Sequence, residues 1–181
     1  LNKLMKYLKR NIVLIGFMGT GKTSSGRLIA LKMKRKFVDT DELIEAEAGL
    51  SIKEIFKKRG EKYFRKLEKN IIRRVSNKRT IVISTGGGAV KNILNMKRLK
   101  KNGFVIALVS NEKSILKRVE SQKDKRPLLK TGSRSESLKN LKALLSVRLP
   151  LYEAVADLVL DTSSLTPGQT AKKILCELKK E

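Results

Sequence analysis

The chain has 181 residues, 40% of them hydrophobic and 33% charged, a globular balance and a length suited to one domain over residues 1–181. It contains no His and one Cys, Cys176, which excludes Ser-His-Asp catalysis, His-ligated metal, an intrachain disulfide and a thiolate zinc cluster. Lys and Arg number 42 against 17 Asp and Glu, and the resulting net charge of +25 favours anionic partners. The cations are spread over nearly every segment, which reads as solvated helix faces around a site for a small anion, not as a nucleic-acid footprint. Residues 1–10 are basic and lack the apolar stretch of a signal peptide. No apolar run is long enough to span a bilayer, so a membrane partner is not expected. A reducing cytoplasm suits the single thiol, and Cys176 reads as structural.

In chain order, the apolar run Ile12-Val13-Leu14-Ile15 predicts a buried strand. It leads into Gly16-Phe17-Met18-Gly19-Thr20-Gly21-Lys22-Thr23, which has the spacing G-x-x-x-x-G-K-[ST] of the phosphate-binding loop. The glycines let backbone N–H groups turn toward phosphates, and the helix that follows adds its positive N-terminal end. Gly19, Thr20, Gly21, Lys22, Thr23 and Ser24 are therefore the expected nucleotide-binding residues. Lys22 reaches the β- and γ-phosphates, and the Thr23 hydroxyl holds Mg²⁺.

A helix from Lys22 to Met33 follows, then a short strand at Phe37-Val38 ending in Asp39-Thr40-Asp41. Glu42 to Ala48 reads as a helix stopped by Gly49. Ser51 caps another helix to about Arg59, and a further one starts near Gly60, with Phe64, Leu67, Ile71 and Val75 on one face. Thr80 to Ser84 is a β-branched strand broken by Thr85-Gly86-Gly87-Gly88. A Lys-rich helix from about Asn92 leads to a strand over Phe104 to Val109, then a helix from Glu112 to Glu120. Residues 121–135 are polar with no apolar period, the signature of a lid. Leu138 restarts a helix that should end at Arg148, before Pro150. Leu158-Val159-Leu160 is the last strand, and Thr166-Pro167 opens the final helix.

Strands alternating with helices predict a parallel sheet covered on both faces, with ligands at the C-terminal rim of the strands. That rim gathers the phosphate loop, Asp39, Asp41 and the triple glycine. The strand before the triple glycine ends in Ser84 and Thr85 with no carboxylate. Asp39 is then the natural metal partner of Thr23, through water or from behind the metal's own ligands, and Asp41 is left for the phosphoryl acceptor. Three successive glycines allow close approach of a ligand to backbone amides.

Six motifs, in this order, make the chain resemble the shikimate kinase family: the phosphate loop, Asp39-Thr40-Asp41, Gly60-Glu61-x-x-Phe64-Arg65, Gly86-Gly87-Gly88-Ala89-Val90, Arg126-Pro127-Leu128-Leu129 and Arg148-x-Pro150-Leu151-Tyr152. The resemblance covers about Asn11 to Leu178. It implies a three-layer α/β/α sandwich with a five-stranded parallel sheet of nucleoside-monophosphate-kinase type, a mobile lid over 121–135 and a substrate-binding helical region over about 41–75. It implies transfer of the γ-phosphoryl of ATP, with Mg²⁺, to the 3-hydroxyl of shikimate, by a monomer in the cytoplasm. By the same resemblance Asp41 orients the acceptor hydroxyl, with Lys22 and Arg126 completing the catalytic set. Arg65 and Arg148 hold the shikimate carboxylate, and Gly86, Gly87 and Gly88 offer it amides. Arg126 closes the lid over the transferring group, while Arg118 and Pro167 border the adenine. A gluconate kinase is the rival within the class, and a nucleic-acid-dependent ATPase the rival outside it.

Overall fold

The computed structural model describes residues 9–120 and 134–180. Its centre is strand β1 (Asn11–Gly16), whose six residues are all buried. An uninterrupted apolar strand of this kind belongs where both faces of a sheet are covered. Around it lie β2 (Phe37–Asp39), β3 (Val82–Ser84), β4 (Gly103–Val109) and β5 (Leu158–Asp161), all parallel, in the order β2-β3-β1-β4-β5.

The period of two along β1 divides the core into two layers. Ile12 and Leu14 face Ile29 and Ala30 of α1 (Lys22–Lys32) and Ala171, Ile174 and Leu178 of α7 (Pro167–Lys180). Val13 and Ile15 face the other way. They meet α2 (Thr40–Ala48), α3 (Ile52–Ser76), α4 (Ile93–Asn102), α5 (Glu112–Glu120) and α6 (Arg134–Val155) through Ile44, Ile71, Leu99, Ile115 and Tyr152. The chain is thus an α/β/α sandwich, as expected. Among the described residues no helix is long and apolar enough to cross a membrane.

Element ends follow local chemistry. A capping box opens α3: Ser51 Oγ accepts from Glu54 N, and the Glu54 carboxylate accepts from Ser51 N. Thr166 and Gln169 make the same reciprocal pair at the start of α7. The two helices expected on either side of Gly60 are contiguous as α3, with Gly60 at φ 78° and ψ 172° forming the kink between them.

The final long helix departs from expectation. It begins at Arg134, inside the stretch expected to be lid, and it runs past Arg148 and through Pro150 to Val155. A proline in a helix costs about 3 kcal/mol, since it lacks the N–H for the preceding turn. What keeps the helix going is Tyr152, 2% exposed, whose ring is buried in the larger core cluster. Burying such a ring contributes about 2–3 kcal/mol, enough to offset most of that cost.

Candidate active site

The registers Leu14↔Ser84 and Asp39↔Ser84 bring the ends of β1, β3 and β2 side by side. The phosphate loop leaves β1 with Gly16, Gly19 and Gly21 at φ 140°, 76° and 89°, where a Cβ would be strained. Gly21 is the N-cap of α1, and the first turn of that helix holds no acidic residue. Its exposed N–H groups and dipole are therefore left for an anionic ligand. Thr20 Oγ1 and Lys22 Nζ both donate to Phe17 O, each at 2.8 Å, so the ammonium is held back across the loop. Ser24 is exposed on the first turn of α1.

Asp39 holds two partners at once. Its Oδ1 caps α2 by accepting from Asp41 N at 2.9 Å, and its Oδ2 accepts from Thr23 Oγ1 at 2.8 Å. Hydroxyl and carboxylate thus converge at the mouth of the phosphate loop, the donor set that Mg²⁺ uses beside nucleotide phosphates and water. Among the described residues no group of three Asp, Glu, His or Cys forms a self-sufficient metal cage, and Mg²⁺ held by phosphate needs none.

The three glycines after β3 each press on a different part of the site. A Cβ on Gly86 would collide with Asp41 Oδ1 and one on Gly88 would lie 2.7 Å from the Arg65 guanidinium, whereas one on Gly87 would make ordinary contact with Gly16 O and Met18 N. Space thus demands glycine at Gly86 and Gly88, where Asp41 and Arg65 converge on one loop. The Gly86 amide donates to Thr40 Oγ1 at 3.1 Å, so it serves the fold. This departs from the expectation that all three amides face substrate.

Arg65 lies half-buried between two carboxylates. Its Nη1 is 2.9 Å from Glu68 Oε2, and its Nε and Nη2 are each 3.1 Å from Glu61 Oε1. Burial pushes the Glu68 carboxyl up, against the pull of Arg65. The Arg65 guanidinium is raised: burial works against it, and Glu68 and Glu61 outweigh that. From α6, Arg148 reaches across to the Phe17 ring, 5.3 Å from its centroid. One turn further on, Tyr152 Oη donates to Gly87 O at 2.6 Å. Burial pushes this phenol up to about 12, the nearby Arg148 notwithstanding.

Arg118 takes a place that sequence spacing did not reveal. Its guanidinium donates to Gly19 O at 3.2 Å, Thr162 O at 2.6 Å and Leu165 O at 3.2 Å. It ties the phosphate loop to the segment leading to Pro167, which is exposed at the first position of α7. Arg126 lies outside the described residues. Glu68, Tyr152 and Thr162 were not singled out from sequence. Glu68 carried a signal, an acid on the apolar face of α3 beside Phe64 and Leu67, and Tyr152 stood within a quoted motif. Thr162 carried none.

A five-stranded parallel sheet in this order, with a phosphate loop between its central strand and α1, defines a P-loop kinase. The sequence model of the shikimate kinase family matches residues 18–179. The shikimate kinase of Thermodesulfovibrio yellowstonii is 49% identical over 93% of this chain and 94% of its own length. That of Caldicellulosiruptor bescii is 46% identical over 92% and 94%. The structure of the Acinetobacter baumannii enzyme in complex with shikimate superposes with a TM-score of 0.90, at 34% identity, covering 98% of this chain and 97% of that one. The chain belongs to the shikimate kinase family.

Proposed function

We infer that the protein transfers the γ-phosphoryl group of Mg·ATP to the 3-hydroxyl of shikimate, giving shikimate 3-phosphate and ADP on the route to chorismate and the aromatic amino acids. The observation that carries this reading is the triple glycine, which brings Asp41, the phosphate loop and Arg65 against three successive residues of backbone. Asp41 orients the acceptor hydroxyl and takes its proton late, since a carboxylate is far too weak a base to ionise an alcohol first. The Arg65 and Arg148 guanidinium groups match a planar carboxylate in a way that lysine would not. Glu68 and Glu61 hold Arg65 in its orientation before substrate arrives.

Lys22 exchanges Phe17 O for phosphate oxygens when nucleotide binds. Thr23, with Asp39 behind it, would hold Mg²⁺, which supplies charge neutralisation between the β- and γ-phosphates. Gly19, Thr20, Gly21 and Ser24 wrap the phosphates, and Arg118 and Pro167 form the corner for the base. Arg126 closes from a lid that precedes α6, and the helical region over 41–75 forms the acceptor side. The enzyme acts as a monomer in the cytoplasm.

Coupled ADP release measured with shikimate, with gluconate and with nucleic acid separates the readings. Turnover is expected with shikimate alone. Folded protein that turns over gluconate or responds to nucleic acid, with no response to shikimate, would sink the proposal.

A further inference from the structure

The positive charge that sequence order spreads along the chain is gathered by the fold at one end. The segments entering β1, β2, β3 and β4 lie at the N-terminal rim of the sheet, opposite the kinase site. Residues 9–10, 34–36, 78–79 and 100–101 of these segments are all Lys or Arg. Backbone pairing aligns them: Asn11 is in register with Gly103, Val82 N donates to Lys36 O at 2.9 Å, and Ile12 N donates to Ile81 O at 2.9 Å. Adjacent strands lie about 4.8 Å apart, so four segments make a line about 15 Å long. Among the described residues of the segments entering the five strands, Asp157 is the one acid, and it sits 3.4 Å from Lys100.

The row is stitched together from within. Arg35 Nη1 donates to Arg10 O at 2.8 Å, and Arg10 donates to Gly103 O. Asn11 Nδ2 donates to Lys78 O at 2.7 Å. These bonds use the two arginines and the backbone, while Lys9, Lys34, Lys36, Lys78, Arg79 and Lys101 are exposed. Lys34 has φ 52°, a left-handed conformation that glycine would adopt with less strain, so a cation stands here at a conformational cost.

From this arrangement we propose that the N-terminal rim of the sheet is a docking surface for the phosphate backbone of nucleic acid, bound without regard to sequence while the kinase site stays open. Two features favour a nucleic acid over an anionic bilayer. The cations lie on a line, as phosphates do along a strand. Beside the four stretches Leu31 is the one exposed large apolar side chain among the described residues, too little to anchor in lipid. No exposed aromatic stands beside them among the described residues, which fits contact with backbone phosphate alone, without base stacking.

The test is fluorescence anisotropy of a labelled 20-base-pair DNA duplex with the full chain, at several salt concentrations. Four to five phosphate contacts predict a log–log salt slope of about −4. Reversing one charge in each segment (Lys9→Glu, Lys36→Glu, Arg79→Glu, Lys101→Glu) should weaken binding at least tenfold at 100 mM salt and reduce the slope by about 3, with the kcat of shikimate-dependent ADP release unchanged. Reversing four cations elsewhere (Lys113, Lys139, Lys172 and Lys173 to Glu) should weaken binding about twofold. Equal losses in both sets would overturn the proposal, since only net charge would then matter. So would tighter binding to phosphatidylglycerol vesicles than to duplex. Lysine acetylation followed by mass spectrometry gives an answer without variants: duplex should protect Lys9, Lys36 and Lys101 more than Lys172 and Lys173, and uniform protection would refute the site.

Discussion

Asp41 and Tyr152 act on neighbouring glycines by different means. Asp41 packs against Gly86 from α2 and is the proton acceptor of the proposed mechanism, so Asp41→Asn keeps the shape and removes that function. Turnover should fall by about 10²-fold or more with little change in melting temperature, which single-turnover kinetics and a thermal melt would check together. Tyr152 holds Gly87 O from α6. Tyr152→Phe leaves that carbonyl without its donor, at a cost of about 2 kcal/mol in urea unfolding. It should raise the KM for shikimate several-fold and leave the KM for ATP unchanged, because the proposed mechanism gives the pinned loop to the acceptor half. Its titration gives a second readout. The folded-state phenol is raised to about 12, so the neutral form is favoured by folding. That stability is fully present below the unfolded value near 10 and lost as pH rises toward 12. The loss amounts to about 3 kcal/mol, which wild type should show and Tyr152→Phe should not.

At the scale of elements, the two helices to which the proposed mechanism gives the acceptor side, α3 and α6, both contain a residue that should end a helix. In α3 it is Gly60, whose φ and ψ lie in a region essentially closed to other residues. No atom lies within 4 Å of where its Cβ would be, so any penalty is conformational and not steric. Gly60→Ala should cost about 1–3 kcal/mol with an unchanged m-value, and it should weaken shikimate binding because the kink sets where Arg65 points. In α6 it is Pro150, which lies between Arg148 and Tyr152 and is tolerated because Tyr152 is anchored in the core. The proposed role of Arg126 in a lid belongs to this scale too. Arg126→Ala should cut turnover strongly while leaving nucleotide-free shikimate binding intact, as measured by equilibrium titration. Equal loss of both would make Arg126 a substrate anchor.

For the whole molecule, a net charge of +25 attracts both anionic substrates to a site that is itself cationic. Steering of this kind acts on encounter and is screened within a Debye length of about 10 Å at 0.1 M salt. Raising salt from 10 to 300 mM should therefore lower kcat/KM for ATP and shikimate several-fold and change kcat much less, a comparison that steady-state kinetics in KCl makes directly. The same charge disposition separates the two ends of the sheet. At the C-terminal rim the cations are few and engaged, Lys22 with Phe17 O and Arg65 with two glutamates, so each has a defined orientation. At the N-terminal rim they are many and exposed.

The sequence by itself determined the architecture and most of the candidate site, because both are written in short-range patterns. Apolar runs of four to six residues, capping residues and glycines at fixed spacing act over one or two turns of chain, and they placed every strand and the phosphate loop to within about two residues. Membership of the shikimate kinase family was also legible, since Asp41, Arg65, the triple glycine and Arg148 stand in a specific order. What the tertiary structure alone decided are facts of long-range contact. A helix continues through Pro150 because the Tyr152 ring is buried in the core and its hydroxyl finds a partner 65 residues away in Gly87. Gly86 spends its amide on Thr40, and Arg118 spends its guanidinium on carbonyls from two distant loops. Cations scattered along the sequence become a row because parallel strands all enter the sheet from the same end. Local propensity acts between neighbours in the chain, whereas packing and electrostatics act between neighbours in space, and only the fold fixes which residues those are.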